Sequence, residues 1–312
     1  MSLLRSALLW ASTNPTLARK VPEMGFVRSA LRRFMPGEEL DDALAAARDL
    51  ARAGLPTTFT HLGENVTDAA RAAAAADHYA GALDRIREEG LDTEISVKLT
   101  HLGLDVDLDL AAGSVSRLAA RAAAAGTRVW IDMESAPYVD PTLEVYRRAR
   151  DGHDNVGVCL QAYLWRTPDD VARIMERPWA VRLVKGAYRE PAAVAATGRA
   201  VDDRFLALAV AMLPAAAAGS GRLALATHDT DLLDAVAVAA GTRRLPRSAW
   251  EIQMLYGIRM EDQRRLVAAG FAVRDLVAYG SAWYPWYVRR LAERPANLWF
   301  VARNLIDGRA AG

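Results

Sequence analysis

Along the chain the spacing of apolar positions switches back and forth between two patterns. Short runs rich in β-branched residues stand at 57–60, 95–97, 129–131, 156–160, 181–184, 223–226, 250–252 and 273–277. Nearly continuous apolar character over so few residues reads as a strand buried on both faces, as in a parallel sheet. Between the runs the apolar positions recur at helical intervals, clearest at 40–53 and at 67–89, which holds the alanine-rich stretch 69–76. Alanine is the strongest helix former, so these stretches are helices and not low-complexity linkers. Strand and helix alternating about eight times predicts an α/β fold, a parallel (β/α)8 barrel of the TIM type. An open doubly wound sheet shares the alternation and is the competing architecture.

No Pro/Ser-rich linker or block of like charge divides the chain. It is therefore read as one domain over 1–312, with accessory helices at 1–54 covering the bottom or side of a barrel at 55–312. Residues 1–12 read as a short amphipathic helix; polar residues follow at once and no cleavage pattern appears. No apolar stretch is long enough to span a bilayer, although a peripheral membrane contact stays open.

Composition narrows the class. Hydrophobic residues make up 52% and charged residues 25% of 312, enough to bury a core without metals or disulfides. A net charge of +1 gives no reason to expect nucleic acid as a partner. Cys159, the single cysteine, lies between Val158 and Leu160 and reads as a small core residue in a protein of the reducing cytoplasm.

In a parallel barrel the reactive face is the ring of C-terminal strand ends. Glu64 follows the first strand, Lys98 the second, and Asp132 with Glu134 the third. Gln161 and Tyr163 end the fourth; the fifth contains Arg182 and runs on to Lys185 and Tyr188. Thr227, His228 and Asp229 end the sixth, Gln253 and Tyr256 the seventh, and Tyr279 the eighth. Any one of these is explained as well by a helix cap or a local ion pair. Together they predict a polar rim, and hence an enzyme.

Two apparent motifs fall away. Gly-Ser-Gly-Arg-Leu-Ala at 219–224 has the letters of a dinucleotide fingerprint but precedes a strand, where its amides cannot open a helix onto a pyrophosphate. His61, His78, His101, His153 and His228 show no metal-ligand spacing; His228, between Thr227 and Asp229, is the one favoured for chemistry. Without Gly-x-Ser-x-Gly or a Cys–His arrangement, hydrolysis by a covalent nucleophile is unsupported.

The ordered motifs are more specific. Ser-Val-Lys-Leu-Thr (96–100), Ile-Asp-Met-Glu (131–134), Leu-Gln-Ala-Tyr-Leu (160–164) and Arg-Leu-Val-Lys-Gly-Ala-Tyr (182–188) come first. Ala-Thr-His-Asp (226–229), Glu-Ile-Gln-Met-Leu-Tyr-Gly (251–257), Tyr-Gly (279–280), Trp-Tyr-Pro (283–285) and Tyr-Val-Arg-Arg-Leu-Ala-Glu (287–293) follow. From about Leu40 onward the series resembles the bacterial monofunctional proline dehydrogenases. The resemblance implies a distorted barrel with a C-terminal helix over its rim, binding FAD without a Rossmann domain. It implies oxidation of L-proline to Δ1-pyrroline-5-carboxylate, the first step of proline catabolism, with electrons passed to a membrane quinone. It implies that Lys98, Asp132, Leu255, Tyr279, Arg289 and Arg290 form the substrate pocket. Gln161, Arg182, Lys185, Gly186, Tyr188, Thr227, His228 and Gln253 would hold the flavin, with Arg182 near its reactive nitrogen. Glu64 resembles a gate carboxylate that pairs with Arg290. One departure stands at 59–64, where an acidic residue is expected near His61.

These residue types suit the chemistry. A guanidinium binds a carboxylate bidentately in a fixed plane. Neighbouring helix residues point about 100° apart, so Arg289 and Arg290 share one ligand only if their helix end overlies the rim. Otherwise they are a solvated basic face beside Glu293. Three rivals stay open: a flavin barrel like the methylenetetrahydrofolate reductases, a close relative acting on hydroxyproline, and a barrel that merely senses a small anion. A homo-oligomer is compatible with the sequence.

Overall fold

The computed structural model describes residues 33–284. After α1 (Leu40–Arg52), strands and helices alternate: β1 (Thr57–His61), α2 (Ala69–Glu88), β2 (Thr93–Val97), α3 (Leu108–Ala124), β3 (Val129–Ile131) and α4 (Val139–Gly152). They continue with β4 (Val156–Gln161), α5 (Thr167–Ile174), β5 (Trp179–Val184), α6 (Arg199–Ala217), β6 (Gly221–Ala226) and α7 (Thr230–Thr242). The last are β7 (Glu251–Leu255), α8 (Met260–Ala268) and β8 (Ala272–Tyr279). All eight strands are parallel, and β8 pairs with β1 from Thr57↔Asp275 to His61↔Tyr279, closing the barrel. That closure excludes the open sheet.

The local signals are ordinary. Asp68, Asp107 and Asp229 each accept a hydrogen bond from the backbone amide three residues on, capping α2, α3 and α7. Such a cap contributes about 1 kcal/mol. Helix α1 turns Ala43, Leu44, Ala47 and Leu50 inward and packs on the outer surface of β8 and β1. The part of the accessory segment that is described therefore covers the side of the barrel. The amphipathic helix expected at 1–12 and the helix expected to carry Arg289 and Arg290 lie outside the described residues.

Strand alternation divides the molecule into two compartments. Phe59, Ile95, Ile131, Val158, Val181, Leu223, Ile252 and Val277 point outward and are fully buried or nearly so beneath the helices. The opposite parity fills the lumen with Glu94, Ser96, Trp130, Arg182, Arg222, Glu251, Gln253 and Arg274. At the N-terminal mouth Trp130 Nε1 donates to Glu94 Oε2 (2.6 Å), and Arg222 pairs with Glu94 and with Glu251 (2.8 Å). Arg274 reaches Glu251 (3.3 Å) and Asp92 (3.0 Å). The ring of Trp130 has room because strand β4 offers Gly157, whose missing Cβ would lie 2.5 Å from it. Buried ion networks stabilise little relative to an apolar core, so the lower lumen adds little cohesion to the barrel.

Polar lumen positions also explain where the strand boundaries differ from the apolar runs. Strand β7 runs Glu251–Leu255, not 250–252, because Glu251 and Gln253 are strand residues facing a polar interior. Gly219 adopts φ 77° and Gly221 begins β6, so the glycine-rich segment is a turn before a strand, as expected.

Candidate active site

The middle of the lumen is organised around Arg182 of β5, which is 2% exposed. Its Nε donates to Gln253 Oε1 (2.6 Å), and Nη1 donates to Ser96 Oγ (2.7 Å) and Asp132 Oδ1 (3.1 Å). The guanidinium carbon also lies 4.7 Å from the centre of the Trp130 ring. Three strands and a cation–π contact therefore fix this side chain, while Nη2 is buried without a hydrogen-bond partner. A buried donor left this way costs free energy unless an acceptor arrives.

One layer higher, Lys98 Nζ pairs with Asp132 Oδ2 at 2.9 Å, and Ser96 Oγ donates to Asp132 Oδ1 at 2.7 Å. Burial alone would strip the charge from both groups. For Lys98 this is outweighed by Asp132, with Tyr188 and Glu134, which hold the ammonium well above its usual range. For Asp132, Lys98 and Arg182 outweigh it and keep the carboxyl below its usual range. The pair is thus ionised, and with Arg182 also against Asp132 the Lys98–Asp132–Arg182 group carries one net positive charge.

Around the rim, Gln161 Nε2 donates to the Glu134 carbonyl (2.8 Å), and Glu134 accepts from Thr100 N (3.1 Å) and Oγ1 (2.7 Å). Lys185 lies between Asp202 (2.5 Å) and Asp229 (2.7 Å). The amide of Leu255 donates to His228 Nε2 (2.9 Å), which places the ring proton on Nδ1 and ties β7 to the end of β6. Thr227 Oγ1 accepts from the amide of Asp229 (3.2 Å). Gly186, at φ 123°, presses its bare backbone on the Tyr163 ring, where a Cβ would stand 2.4 Å from a ring carbon. Tyr188, half-buried, follows on that loop. Cys159 faces this region but is buried, and burial pushes its thiol up to about 11, so it is inert.

Lys98, Asp132, Gln161, Arg182, Gln253 and Leu255 therefore converge on one mouth. Tyr279 does not. Counting from Arg274, the inward residues of β8 are Leu276 and Ala278, while Tyr279 shares the outward parity of Phe59 and His61. Its ring packs edge-on against Phe59 (5.9 Å), and its hydroxyl meets His78 Nε2 at 2.9 Å on α2. Leu276, the register partner of Leu255, takes the lumen position expected for Tyr279. Glu64 stands in the loop after β1, which the Val66 amide anchors to the Thr100 carbonyl (2.9 Å).

Ser96 and Trp130 are absent from the expected site, and Glu134 is expected at the rim without a role there. The spacing 94, 96, 98 carries the signal for Ser96, since Lys98 fixes which parity faces the mouth. His61, His78 and His101 stack face to face or tilted, and among the described residues no group of side chains is arranged to hold a metal ion. A cavity of about 630 Å³ at the opposite, N-terminal mouth is lined by Arg128, Arg222, Arg274 and their acidic neighbours, far from this constellation.

The Proline dehydrogenase family model matches residues 43–303. Proline dehydrogenase 1 of Bacillus subtilis (strain 168) is 35% identical over 305 residues, covering 97% of this chain and 99% of the relative. Proline dehydrogenase of Deinococcus radiodurans is 33% identical over 312 residues, covering 98% and 99%. Among solved structures, proline utilization A from Bdellovibrio bacteriovorus, inactivated by N-propargylglycine, superposes with a TM-score of 0.80 at 23% identity. It covers 93% of this chain but 36% of that one, so the present chain spans about a third of that longer protein, and the likeness is one of fold.

Proposed function

The chain belongs to the proline dehydrogenase family, and on that premise we propose that it oxidises L-proline to Δ1-pyrroline-5-carboxylate using FAD held in the barrel mouth, with a membrane quinone taking the electrons. The observation that carries the reading is the fixed Arg182 guanidinium with its unpartnered, buried Nη2. The residues fit a flavin: Arg182 Nη2 is buried and needs an acceptor, while Gln253 and Ser96 already hold the guanidinium in place. When bound, the flavin supplies the acceptor for a hydride leaving the carbon beside the ring nitrogen.

The protein's own groups have separable roles in this reading. Arg182 offers a preorganised positive charge where negative charge develops, at no cost in reorganisation. Gln253 and Ser96 hold Arg182 in place. Gln161, Lys185, Gly186, Tyr188 and Thr227 line the cofactor side, and His228 acts there through the Leu255 amide. On the substrate side Asp132 favours the cation that forms on the ring nitrogen, and Lys98 keeps Asp132 ionised. Arg289 and Arg290 take the carboxylate, and Glu64 pairs with Arg290 when the site shuts. Leu255 and Leu276 form an apolar wall for the ring. That wall offers no hydrogen-bond partner to a ring hydroxyl, which favours proline over hydroxyproline by up to about 10²-fold.

Electron transfer to a quinone requires a meeting with the bilayer surface; among the described residues no helix is long and apolar enough to cross it. The proposal is tested by an anaerobic spectrum of the purified protein. Added proline is expected to bleach the oxidised flavin bands while reduced nicotinamide leaves them unchanged. Protein without flavin, or flavin untouched by proline, sinks the reading. Arg289→Met is expected to raise the KM for proline by about 10²-fold at constant flavin content, following the loss of a charged carboxylate contact. An unchanged KM removes Arg289 from the carboxylate site.

A further inference from the structure

Three imidazoles assemble beneath the rim from separate elements: His61 ends β1, His78 lies on α2, and His101 follows β2. His61 and His78 stack with ring centres 4.0 Å apart, and His61 and His101 are 5.5 Å apart. Tyr79 secures the base of the cluster, accepting from the His61 amide (2.9 Å) and donating to the Ser96 carbonyl (2.9 Å). Tyr279 secures its flank through His78. Two chain segments then rest on these rings through glycine alone. A Cβ at Gly63 would fall 2.3 Å from His101 Nε2, and one at Gly280 would fall 2.8 Å from His61 Cδ2. Gly63 directly precedes Glu64, and Gly280 begins the chain toward Arg289 and Arg290.

We propose that His101 is a positioning residue: its ring is the seat on which the backbone of Gly63 lies flat, and this contact sets the height of the Glu64 carboxylate over the barrel mouth. The proposal rests on the proline-oxidation reading for what Glu64 does, but the seat itself is a matter of packing. Gly63 does not occupy the left-handed region, so alanine there is not strained by its backbone conformation. What opposes the added methyl is the ring. Burial, together with the charges of Lys98, His78 and Arg71, lowers His101 to about 4 against the opposing charge of Glu64, so the ring is neutral and packs as a flat surface at neutral pH.

The experiment uses the full-length, flavin-loaded protein. Gly63→Ala is expected to lift the loop and raise the KM for proline about fivefold, with kcat and flavin content within about twofold of wild type. In a His101→Ala background the methyl fills the vacated space, so Gly63→Ala has no further effect; in a His101→Phe background its full penalty returns. A wild-type KM in Gly63→Ala, or the same penalty in all three backgrounds, overturns the proposal. So does a loss of flavin in step with the change in KM. Amide exchange over residues 62–68 reads the same seat without substrate. If proline fails to reduce the wild-type flavin while exchange still follows the suppression pattern, the substrate reading falls and the seat stands.

Discussion

Arg182→Met is expected to lower kcat for proline about 10²–10³-fold in protein that still binds flavin, the loss typical of removing one preorganised charge from a reacting centre. Methionine approximates the length of the side chain and stays apolar over the Trp130 ring, so the change isolates charge and hydrogen bonding. The same substitution leaves Gln253 Oε1 without its donor and removes from Asp132 one of two cationic neighbours. Its carboxyl then moves up toward the usual range, although Lys98 still opposes protonation. Arg182→Lys retains the charge but cannot reach Gln253 and Ser96 together, so it belongs between methionine and wild type. Rapid mixing of proline with the oxidised enzyme measures the reductive step directly. A methionine variant reduced at the wild-type rate would show that Arg182 holds the lumen together and takes no part in the transfer.

Asp275→Asn is expected to stabilise the fold, and more so at higher pH. Asp275 sits on the outer face of β8, is 0% exposed, and neither carboxyl oxygen has a hydrogen-bond partner. Burial pushes its pKa from 3.8 to about 7; the Gln263 amide of α8 opposes this only weakly, because its Nε2 donates to the Leu255 and Ile258 carbonyls (3.5 and 3.1 Å), and its Oε1 is itself buried without a donor. A protonated carboxyl carries the donor that Gln263 lacks. The folded state thus holds a proton that the unfolded chain releases near pH 4. The contribution to stability is fully present below that pH and is lost as pH rises toward about 7. The move from 3.8 to about 7 corresponds to roughly 4 kcal/mol at alkaline pH. Asparagine provides a permanent donor, so the gap between variant and wild type should widen by roughly 2–3 kcal/mol from pH 5 to pH 8. Urea melts at the two values measure it; a gap that does not change with pH means that Asp275 is already satisfied.

The positions of the strands could be read from the chain because each is a short apolar run between helical segments, and all eight fall where those runs fall. Which side of each strand faces the lumen was harder to read. A strand buried on both faces hides its parity, since apolar residues suit either side. Arg182 betrayed its direction by its charge, and Lys98 and Asp132 by standing just past their strands. Strand β8 offered Leu276, Val277, Ala278 and Tyr279 in succession, and the most polar of them drew the assignment although the register points it outward. The histidine cluster was invisible for another reason. Its members are separated along the chain and meet only because β1, α2 and the loop after β2 converge at one corner of the rim.

The division of the strands into two parities has an evolutionary consequence. Outward residues such as Phe59, Ile95, Val181 and Ile252 grip the helices, while their immediate neighbours meet whatever enters the mouth. Selection can rewrite the second set one residue at a time without loosening the first. The same spacing sets a limit on tolerated change. Inserting or deleting a single residue within a strand would exchange the two sets, so lineages of this barrel should vary by substitution inside strands and by length only in the loops between them.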